Sequence, residues 1–227
     1  MAFRVVIEGI DGSGKGTQAA QLREWLANAG VSVTLLSFPR YEATTFGRQV
    51  GAFLNGQFGR LDEVHPLLVS LLYAGDRFES RSVIESADND HQVVIFDRFV
   101  ASNMAHQGAK LTGANRRELL DWIEKLEFEI YALPRPHLTV LLDLPADQAQ
   151  QLVLKKSARS YTDRATDLQE SDTNYLANVR EVYRELAEQD STWQVVPCLD
   201  AGRLRSIEEI ADAIQAVVED RRSSSAS

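Results

Sequence analysis

A glycine-rich loop lies between an apolar run and a helical pattern close to the start of the chain. The apolar run is Val5–Ile7, the loop covers Gly9–Thr17, and the helical pattern begins near Lys15. A buried strand, a loop with several glycines and a helix, in that order, form the phosphate cradle of nucleoside-triphosphate-binding proteins. Glycines let successive backbone N–H groups approach an anion, and the positive end of the helix points at the same anion. The chain is therefore predicted to bind ATP or a related nucleotide.

The residues of this loop indicate how the phosphates would be held. The spacing from Gly9 to Lys15 satisfies the pattern Gly-x4-Gly-Lys, in which the lysine lies at the β- and γ-phosphates. The next residue is Gly16, so the hydroxyl that usually reaches Mg²⁺ comes one place later, at Thr17. A glycine turn that merely joins a strand to a helix is the alternative. The predicted nucleotide-binding residues are Gly9, Asp11, Gly12, Ser13, Gly14, Lys15, Gly16 and Thr17.

Apolar runs suited to buried strands recur along the chain and alternate with helical patterns. They cover residues 3–7, 31–36, 93–96, 138–142 and 193–199. This alternation predicts an α/β fold of the P-loop NTPase type, with a parallel five-stranded sheet flanked by helices. One long helix is expected from about Asp62 to Ser86. We expect a single domain over residues 1–220 and a disordered, serine-rich tail over 221–227.

Composition excludes several classes of function. The net charge of −9 argues against a general binder of nucleic acid or of anionic membranes, because both require a basic surface. No apolar run approaches the ~18 residues that cross a membrane, and the N-terminal segment lacks a secretory signal. The single cysteine, Cys198, lies in an apolar run and is expected to be a buried thiol. A cytoplasmic location without nucleic-acid or membrane partners is therefore expected.

Two charged residues end the third apolar run. Asp97 and Arg98 follow Val93–Phe96 directly, where a buried strand would reach the edge of the sheet beside the phosphate loop. A carboxylate at that place can hold Mg²⁺ or its water shell. Arg98 would project into the same crevice as a phosphate clamp. Alternatively, Asp97 only caps the turn that follows the strand.

The chain resembles the thymidylate kinase family in four segments. These are Glu8–Lys15, Phe38–Tyr41, Leu71–Arg77 and Asp97–Asn103, which occur in the family's order, and the resemblance extends to about Glu219. Each motif has modest specificity, but four in the correct order and spacing are a strong signal. The resemblance implies transfer of the γ-phosphoryl group of ATP to dTMP, with Mg²⁺, in dTTP biosynthesis. It also implies a homodimer, for which residues 67–72 and 99–105 would supply apolar surface.

The same resemblance implies roles for individual side chains in acceptor binding. Tyr73 would stack on thymine, Arg77 and Arg98 would hold the acceptor phosphate, and Asn103 would read the base edge. Asp11 would lie near the acceptor phosphate, the sugar and the metal, for which Asp97 and Thr17 are the other candidates. His106 occupies a position where many members carry a tyrosine near the sugar. The loop after the second strand would also contact the acceptor through Phe38, Pro39, Arg40 and Tyr41.

Structural roles remain open for these residues. The segment Phe38–Tyr41 could be a proline turn with an aromatic plug, and Asp11 could stabilise its own turn. Tyr73 could be an ordinary core aromatic residue. His106 could lie in solvent at the end of a helix.

A basic, serine-containing segment is predicted to form a mobile lid at about 155–168. In the family such a lid closes over ATP and excludes water. Family members carry a catalytic arginine in the phosphate loop or in the lid, and here the loop position is Gly12. Arg159 and Arg164 are therefore the candidates, together with Lys15 and Arg98, for the catalytic cations.

Two other functions are alternatives to this prediction. A different nucleoside monophosphate kinase, acting on dUMP, AMP or CMP, is one alternative, because adenylate kinases share the ending Gly-Lys-Gly-Thr of the loop. The other is a nucleotide-binding switch or a module without catalysis. A GTPase switch would need an Asn-Lys-x-Asp motif and an Asp-x-x-Gly after the third strand, and neither occurs in this sequence.

Overall fold

Five parallel strands form the central sheet. In the computed structural model, which describes residues 1–60, 63–154 and 173–225, the strands are β1 Phe3–Glu8, β2 Val33–Ser37, β3 Val93–Asp97, β4 Leu138–Asp143 and β5 Trp193–Pro197. Their spatial order is β2-β3-β1-β4-β5. A short antiparallel hairpin follows, formed by β6 Leu199–Asp200 and β7 Arg203–Leu204. The predicted α/β class and the five-stranded parallel sheet are confirmed.

The helices connect the strands and cover the sheet. They are α1 Lys15–Asn28, α2 Thr45–Leu54, α3 Pro66–Glu79, α4 Arg81–Asp90, α5 Val100–Gly108, α6 Gly113–Glu124, α7 Ala146–Leu154, α8 Thr173–Gln189 and α9 Ile207–Ser225. A π-helix over Lys125–Ile130 continues α6. None of the helices in the described ranges is both long enough and apolar enough to cross a lipid bilayer.

The central strands are apolar along their length because helices cover both faces of the sheet. Val5, Ile7, Ile95 and Val140 are fully buried in one core cluster that includes residues of α1, α8 and α9. A second cluster fills the other face, where Val94 and similar residues pack against α5 and α6. Near-continuous apolar strands are the expected sequence of a parallel sheet in this arrangement.

The order of the strands positions the site. The chain passes from β1 to β2 on one side of β1 and later reaches β4 on the other side, so β1 lies at the point where the connections change direction. Ligands of open parallel sheets bind at the carboxyl ends of the strands at such a point. Ile7 of β1 pairs with Asp97 of β3 and with Val140 of β4, so the phosphate loop leaves β1 beside Asp97.

Two helix boundaries differ from the sequence predictions. The long helix expected between Asp62 and Ser86 is divided at Ser80, whose hydroxyl donates to the carbonyl of Asp76. Helix α9 continues to Ser225, where a disordered tail from Arg221 was expected. The hydroxyls of Ser223 and Ser224 donate to carbonyls four residues earlier, and these bonds accompany the extra helical turn.

The apolar side chains of segment 99–105 do not form an exposed surface. Phe99, Val100, Met104 and Ala105 belong to the buried core, whereas Leu68 on α3 is 57% exposed. The prediction that residues 99–105 supply apolar surface for a homodimer is therefore wrong. The segment packs inside because α5 lies between the sheet and helices α3, α6 and α8.

Candidate active site

The phosphate loop connects the end of β1 to the first turn of α1. Gly14 precedes the helix with a left-handed backbone, φ 89°, so no side chain covers the free N–H groups of the first turn. Lys15 donates from Nζ to the carbonyl of Ile10 at 2.7 Å. Burial, and secondarily the charge of Arg98, lowers the pKa of Lys15 to about 7. The buried hydroxyl of Ser13 has no hydrogen-bond partner within the described ranges, as expected of a group that binds a ligand.

The loop packs tightly against α7. Gly12 has φ 87°, and a Cβ atom built on it would lie 2.3 Å from the carbonyl oxygen of Ala149. A larger residue therefore requires the backbone of α7 to move. The close contact and the left-handed backbone both favour glycine at this position.

Asp97 lies at the end of β3, beside the start of α1. Gly16 faces it without a side chain, since a Cβ atom there would lie 3.1 Å from Asp97 Oδ2. A cavity of about 160 Å³ opens at this place, lined by Asp11, Gly12, Gly14, Lys15, Gly16, Asp97 and Arg98. The phosphate loop and the predicted clamp Arg98 thus share one space, as the sequence predicted.

Arg98 is held by its backbone and by Asp11. Its φ is 66°, and its N–H donates to the carbonyl of Ile7 at 3.1 Å. The guanidinium donates from Nη2 to Asp11 Oδ1, and its Nη1 lies 3.4 Å from Ser102 Oγ. Burial opposes the charged guanidinium, yet the nearby carboxylates, Asp11 first, raise the pKa of Arg98 well above its ordinary value.

Glu8 fixes the start of α5 from the end of β1. Its buried carboxylate accepts hydrogen bonds from the N–H groups of Phe99 and Ser102, at 2.8 and 3.1 Å. It also accepts from the hydroxyls of Ser102 and Tyr183, at 2.6 and 2.8 Å. Sequence reasoning assigned no role to Glu8 or Tyr183, although one acidic residue at the end of an apolar strand was an available signal.

Arg77 of α3 is paired with the buried carboxylate of Glu127. It is 1% exposed and donates to Glu127 from Nε and from Nη2, the latter at 2.7 Å, and it does not line the cavity at the phosphate loop. Burial opposes its charge, but Glu127 raises the pKa of Arg77 above its ordinary value. Glu127 thus binds one edge of the Arg77 guanidinium in this structure, and a role of Arg77 at the acceptor phosphate stays a prediction.

Asn103 joins the same cluster from α5. Its Nδ2 donates to the carbonyl of Ser70 and to Glu127 Oε1, each at 3.0 Å. Its buried Oδ1 has no hydrogen-bond partner among the described residues, and the same holds for Nε2 of Gln107 one turn later. No sequence motif pointed to Glu127 or Gln107 as site residues.

The segment after β2 is attached to α3. Asp76 accepts hydrogen bonds from the N–H of Arg40, at 2.9 Å, and from the hydroxyl of Thr44, at 2.5 Å. Phe38 is 4% exposed and packs with Phe96 and Phe99, so it is a core residue in this structure and not a free wall for a base.

The other members of this predicted acceptor group remain more accessible than Phe38. Pro39, Arg40 and Tyr41 are half-buried, and Tyr41 and Tyr73 pack against the small apolar cluster of α2 and α3. Contact with an acceptor stays a prediction for these residues.

His106 is buried beside Arg98, which corrects the solvent-exposed alternative. Its Nδ1 lies 3.1 Å from the hydroxyl of Tyr175, and that hydroxyl donates to the carbonyl of His106 at 2.9 Å. Nδ1 therefore carries the ring proton, and Nε2 faces Arg98 Nη1 at 3.5 Å. Burial lowers the pKa of His106 to about 3, so the imidazole is neutral.

The predicted lid lies outside the described residues. This applies to the segment 155–168 and to its candidate catalytic arginines, Arg159 and Arg164. Their roles remain predictions from the sequence.

Comparison with known proteins agrees with the geometry. The sequence model of the family "Thymidylate kinase" matches residues 7–214. The thymidylate kinase of Mycobacterium tuberculosis is 34% identical over 204 residues, which cover 88% of this chain and 94% of that protein. A probable thymidylate kinase of Thermococcus onnurineus is 33% identical over 220 residues, covering 95% and 96% of the two chains.

A solved structure shows the same fold. Thymidylate kinase from Candida albicans matches with a TM-score of 0.73 and 22% identity, over 97% of this chain and 92% of that one. The sequence predicted a phosphate loop beside Asp97 and Arg98 on a five-stranded parallel sheet, and the structure has this arrangement. The chain therefore belongs to the thymidylate kinase family, the kinases that phosphorylate dTMP to dTDP.

Proposed function

We propose that this chain transfers the γ-phosphoryl group of ATP to the phosphate of dTMP, with Mg²⁺, to supply dTDP for dTTP biosynthesis. The observation that carries the proposal is the cavity in which the phosphate loop faces the Arg98–Asp11 pair. A donor phosphate on the loop and an acceptor phosphate on Arg98 would lie next to each other there. Placing two anionic phosphates in line is most of the catalysis in phosphoryl transfer.

The phosphate loop would hold the donor. Backbone N–H groups at the start of α1 and the hydroxyl of Ser13 would bind the β-phosphate region. Lys15 would exchange the Ile10 carbonyl for phosphate oxygens, and their negative charge would restore the charged form of its amine. The buried amine is therefore suited to a ligand with several negative charges.

The site also fits Mg²⁺. Mg²⁺ is commonly bound through one or two carboxylates, water and the phosphates of the substrate. Asp97 and Asp11 line the cavity, Gly16 leaves space beside Asp97, and Thr17 supplies an exposed hydroxyl at the same helix end. No group of three or more metal-binding side chains occurs in the described ranges, which suits an ion held largely by ATP. The ion would neutralise charge on the transferring phosphates.

Arg98 would bind the acceptor phosphate. Among the described residues it is the arginine that lines the cavity, and its planar fork suits two phosphate oxygens. The dTMP phosphate is already anionic, so its oxygen attacks the γ-phosphorus without a general base. Asp11 would orient Arg98 for this task, and Arg159 or Arg164 would supply the further cation that the phosphate loop lacks.

Asn103 would read the base. Both hydrogens of its amide are used by Ser70 and Glu127, which leaves Oδ1 to accept a hydrogen bond. The N3–H group of thymine is such a donor. Tyr73 would stack on the ring from α3, and the free Nε2 of Gln107 could donate to a carbonyl of the base. Because Oδ1 is shielded from solvent, the base reaches it when the surrounding side chains rearrange.

A homodimer in the cytoplasm is proposed as the working form. The partly exposed stripe that includes Leu68 on α3 supports the dimer, since exposed apolar surface of this kind marks contacts between proteins. The proposed substrates, ATP and dTMP, support the location.

A steady-state assay with ATP and a panel of dTMP, dUMP, AMP and CMP, with and without Mg²⁺, tests the activity. We expect a clear preference for dTMP and no turnover without Mg²⁺. The Arg98→Ala variant should lose about 10²–10³-fold in kcat/KM for dTMP, because a preorganised cation is removed from the reacting phosphates.

Arg81→Ala, which removes an exposed arginine paired with Glu85, is the control and should retain wild-type rates. Equal use of AMP and dTMP, or full activity of Arg98→Ala, would contradict the proposal.

A further inference from the structure

Glu127 is a buried carboxylate at the meeting point of three elements. It lies in the π-helix 125–130, is fully buried, and contacts Arg77 of α3 and Asn103 of α5. A π-helix changes the direction of its side chains relative to an α-helix, and such turns are frequent at functional sites. Glu127 is therefore placed to control groups on both α3 and α5.

The pairing with Arg77 determines which kind of hydrogen bond Glu127 can make. The two side chains are 2% and 0% exposed, and Arg77 donates to both carboxylate oxygens. A carboxylate held by a buried guanidinium is ionised, and an ionised carboxylate can only accept hydrogen bonds. Any amide that touches Glu127 must therefore present its NH₂ group.

Asn103 is the amide that touches it. The Nδ2 group lies 3.0 Å from Glu127 Oε1 and 3.0 Å from the carbonyl oxygen of Ser70. Rotating the amide by half a turn would place Oδ1 against two acceptors at these distances, which is strongly unfavourable. The orientation of Asn103 is thus fixed, and Oδ1 is the atom left without a partner in the described part of the chain.

We propose that Glu127 is a positioning residue that fixes the Asn103 amide and thereby selects pyrimidine bases that carry a hydrogen on N3. This inference rests on the proposed function, in which the acceptor base lies against Asn103. Thymine and uracil donate from N3–H, whereas N3 of cytosine is an acceptor and would meet Oδ1 without a hydrogen between them. Buried acceptors that face each other in this way cost more than a lost hydrogen bond. Glu127 would therefore exclude cytosine without touching the base.

The test compares kcat/KM for dTMP and dCMP in the wild type and in Glu127→Gln. The glutamine side chain is uncharged, and an NH₂ donor replaces one of the two acceptor oxygens of Glu127. It can therefore face either the NH₂ group or the Oδ1 atom of Asn103. We expect the dTMP-to-dCMP ratio to fall by about 10- to 100-fold, the range for loss of a hydrogen bond to a charged group. The KM for ATP should not change.

Two comparisons separate positioning from a general structural effect. Glu127→Asp keeps the acceptor-only carboxylate and should retain most of the selectivity. Glu124→Gln, in α6 just before the π-helix, removes an exposed partner of Arg135 and should leave both acceptors unaffected. If Glu127→Gln lowers the rates with dTMP and dCMP in the same proportion, Glu127 is only structural and the inference is wrong.

The wild type alone gives a second test that does not depend on a variant that folds. It should reject dCMP and N3-methyl-dTMP while accepting dTMP and dUMP at one common ATP concentration. Use of N3-methyl-dTMP as efficiently as dTMP would overturn the role of Asn103 Oδ1, and with it that of Glu127. Absence of any dTMP turnover would instead contradict the proposed function.

Discussion

At the scale of single residues, the two largely buried arginines of this site are each paired with a carboxylate from another part of the chain. Arg98 pairs with Asp11 across the phosphate cavity, and Arg77 pairs with Glu127 beside Asn103. A buried charge without a partner is costly, so removing one member of such a pair destabilises the other. His106 is buried without a charge, since burial next to Arg98 keeps its imidazole neutral.

His106 predicts an acid-dependent loss of stability. Its pKa is about 3 in the folded chain, against 6.5 for an ordinary histidine. Between these values the unfolded chain binds a proton that the folded chain does not, so the free energy of unfolding rises with pH through this window and is constant above it. His106→Gln removes the titrating group. Urea unfolding at about pH 5 and pH 7.5 should therefore show a smaller acid-induced loss for the variant than for the wild type.

His65→Gln, which replaces an exposed histidine at the start of α3, controls for the loss of a histidine as such. Equal acid-induced losses in the wild type and in His106→Gln would show that His106 is not the group that resists protonation.

At the scale of elements, the phosphate loop is shaped by two neighbours, α1 and α7. The start of α1 provides the anion site, and α7 limits what the loop can carry at Gly12. Helix α5 carries residues that we propose contact the acceptor, since Glu8 fixes its first turn and Asn103 and His106 follow on it. The proposed donor and acceptor groups are thus attached to helices whose first turns are held in place.

The contact between the loop and α7 is tested by a pair of glycine substitutions. Gly12 and Gly14 both have a left-handed backbone, φ 87° and 89°, so alanine is strained at either position. A Cβ atom at Gly12 would also lie 2.3 Å from the Ala149 carbonyl, whereas one at Gly14 meets nothing within 4 Å. Gly12→Ala should therefore be less stable than Gly14→Ala by about 1–3 kcal/mol, the usual cost of overpacking.

Thermal and urea unfolding of the two variants measures this difference. Gly14→Ala serves as the matched control for backbone strain. If the two variants unfold with similar free energies, α7 moves to accommodate the added methyl group, and the close contact is not the reason for glycine at position 12.

At the scale of the whole molecule, the sheet order brings residues far apart in sequence to one edge. Asp11, Asp97 and Asp143 lie at or just beyond the carboxyl ends of three neighbouring strands. The two faces of the sheet are each covered by helices, and some of the exposed apolar side chains lie on these helices. Leu68 on α3 is one of them and is suited to contact a second copy of the chain.

Leu68→Glu tests the proposed dimer. A charge in an apolar contact between copies is costly, so the variant should be monomeric at concentrations at which the wild type is dimeric. Light scattering coupled to size-exclusion chromatography measures the mass. Ile130→Glu places the same charge on another exposed apolar residue, 65% exposed at the end of the π-helix, and should remain dimeric. A dimer of Leu68→Glu, or a monomeric wild type, would contradict the assignment.

Much of the fold follows from local patterns in the sequence. Apolar runs alternating with helices predicted all five strands of the sheet, because a strand covered on both faces must be apolar along its length. The glycine spacing before Lys15 predicted the phosphate loop, since its function depends on a short local backbone geometry. Asp97 and Arg98 were found for a similar reason: the end of a buried strand is visible in the sequence.

The tertiary structure decided which charged groups meet. Arg77 and Glu127 are 50 residues apart, and Arg98 and Asp11 are 87 residues apart, so no local pattern in the sequence connects either pair. The contact with Glu127 holds Arg77 beside Asn103. The burial of residues 99–105 and of His106 was likewise set by packing between α5 and its neighbours. Sequence alone determines the loop, the strands and the family, since these depend on local order. Hydrogen-bond partners and burial depend on distant elements that meet only in the folded chain.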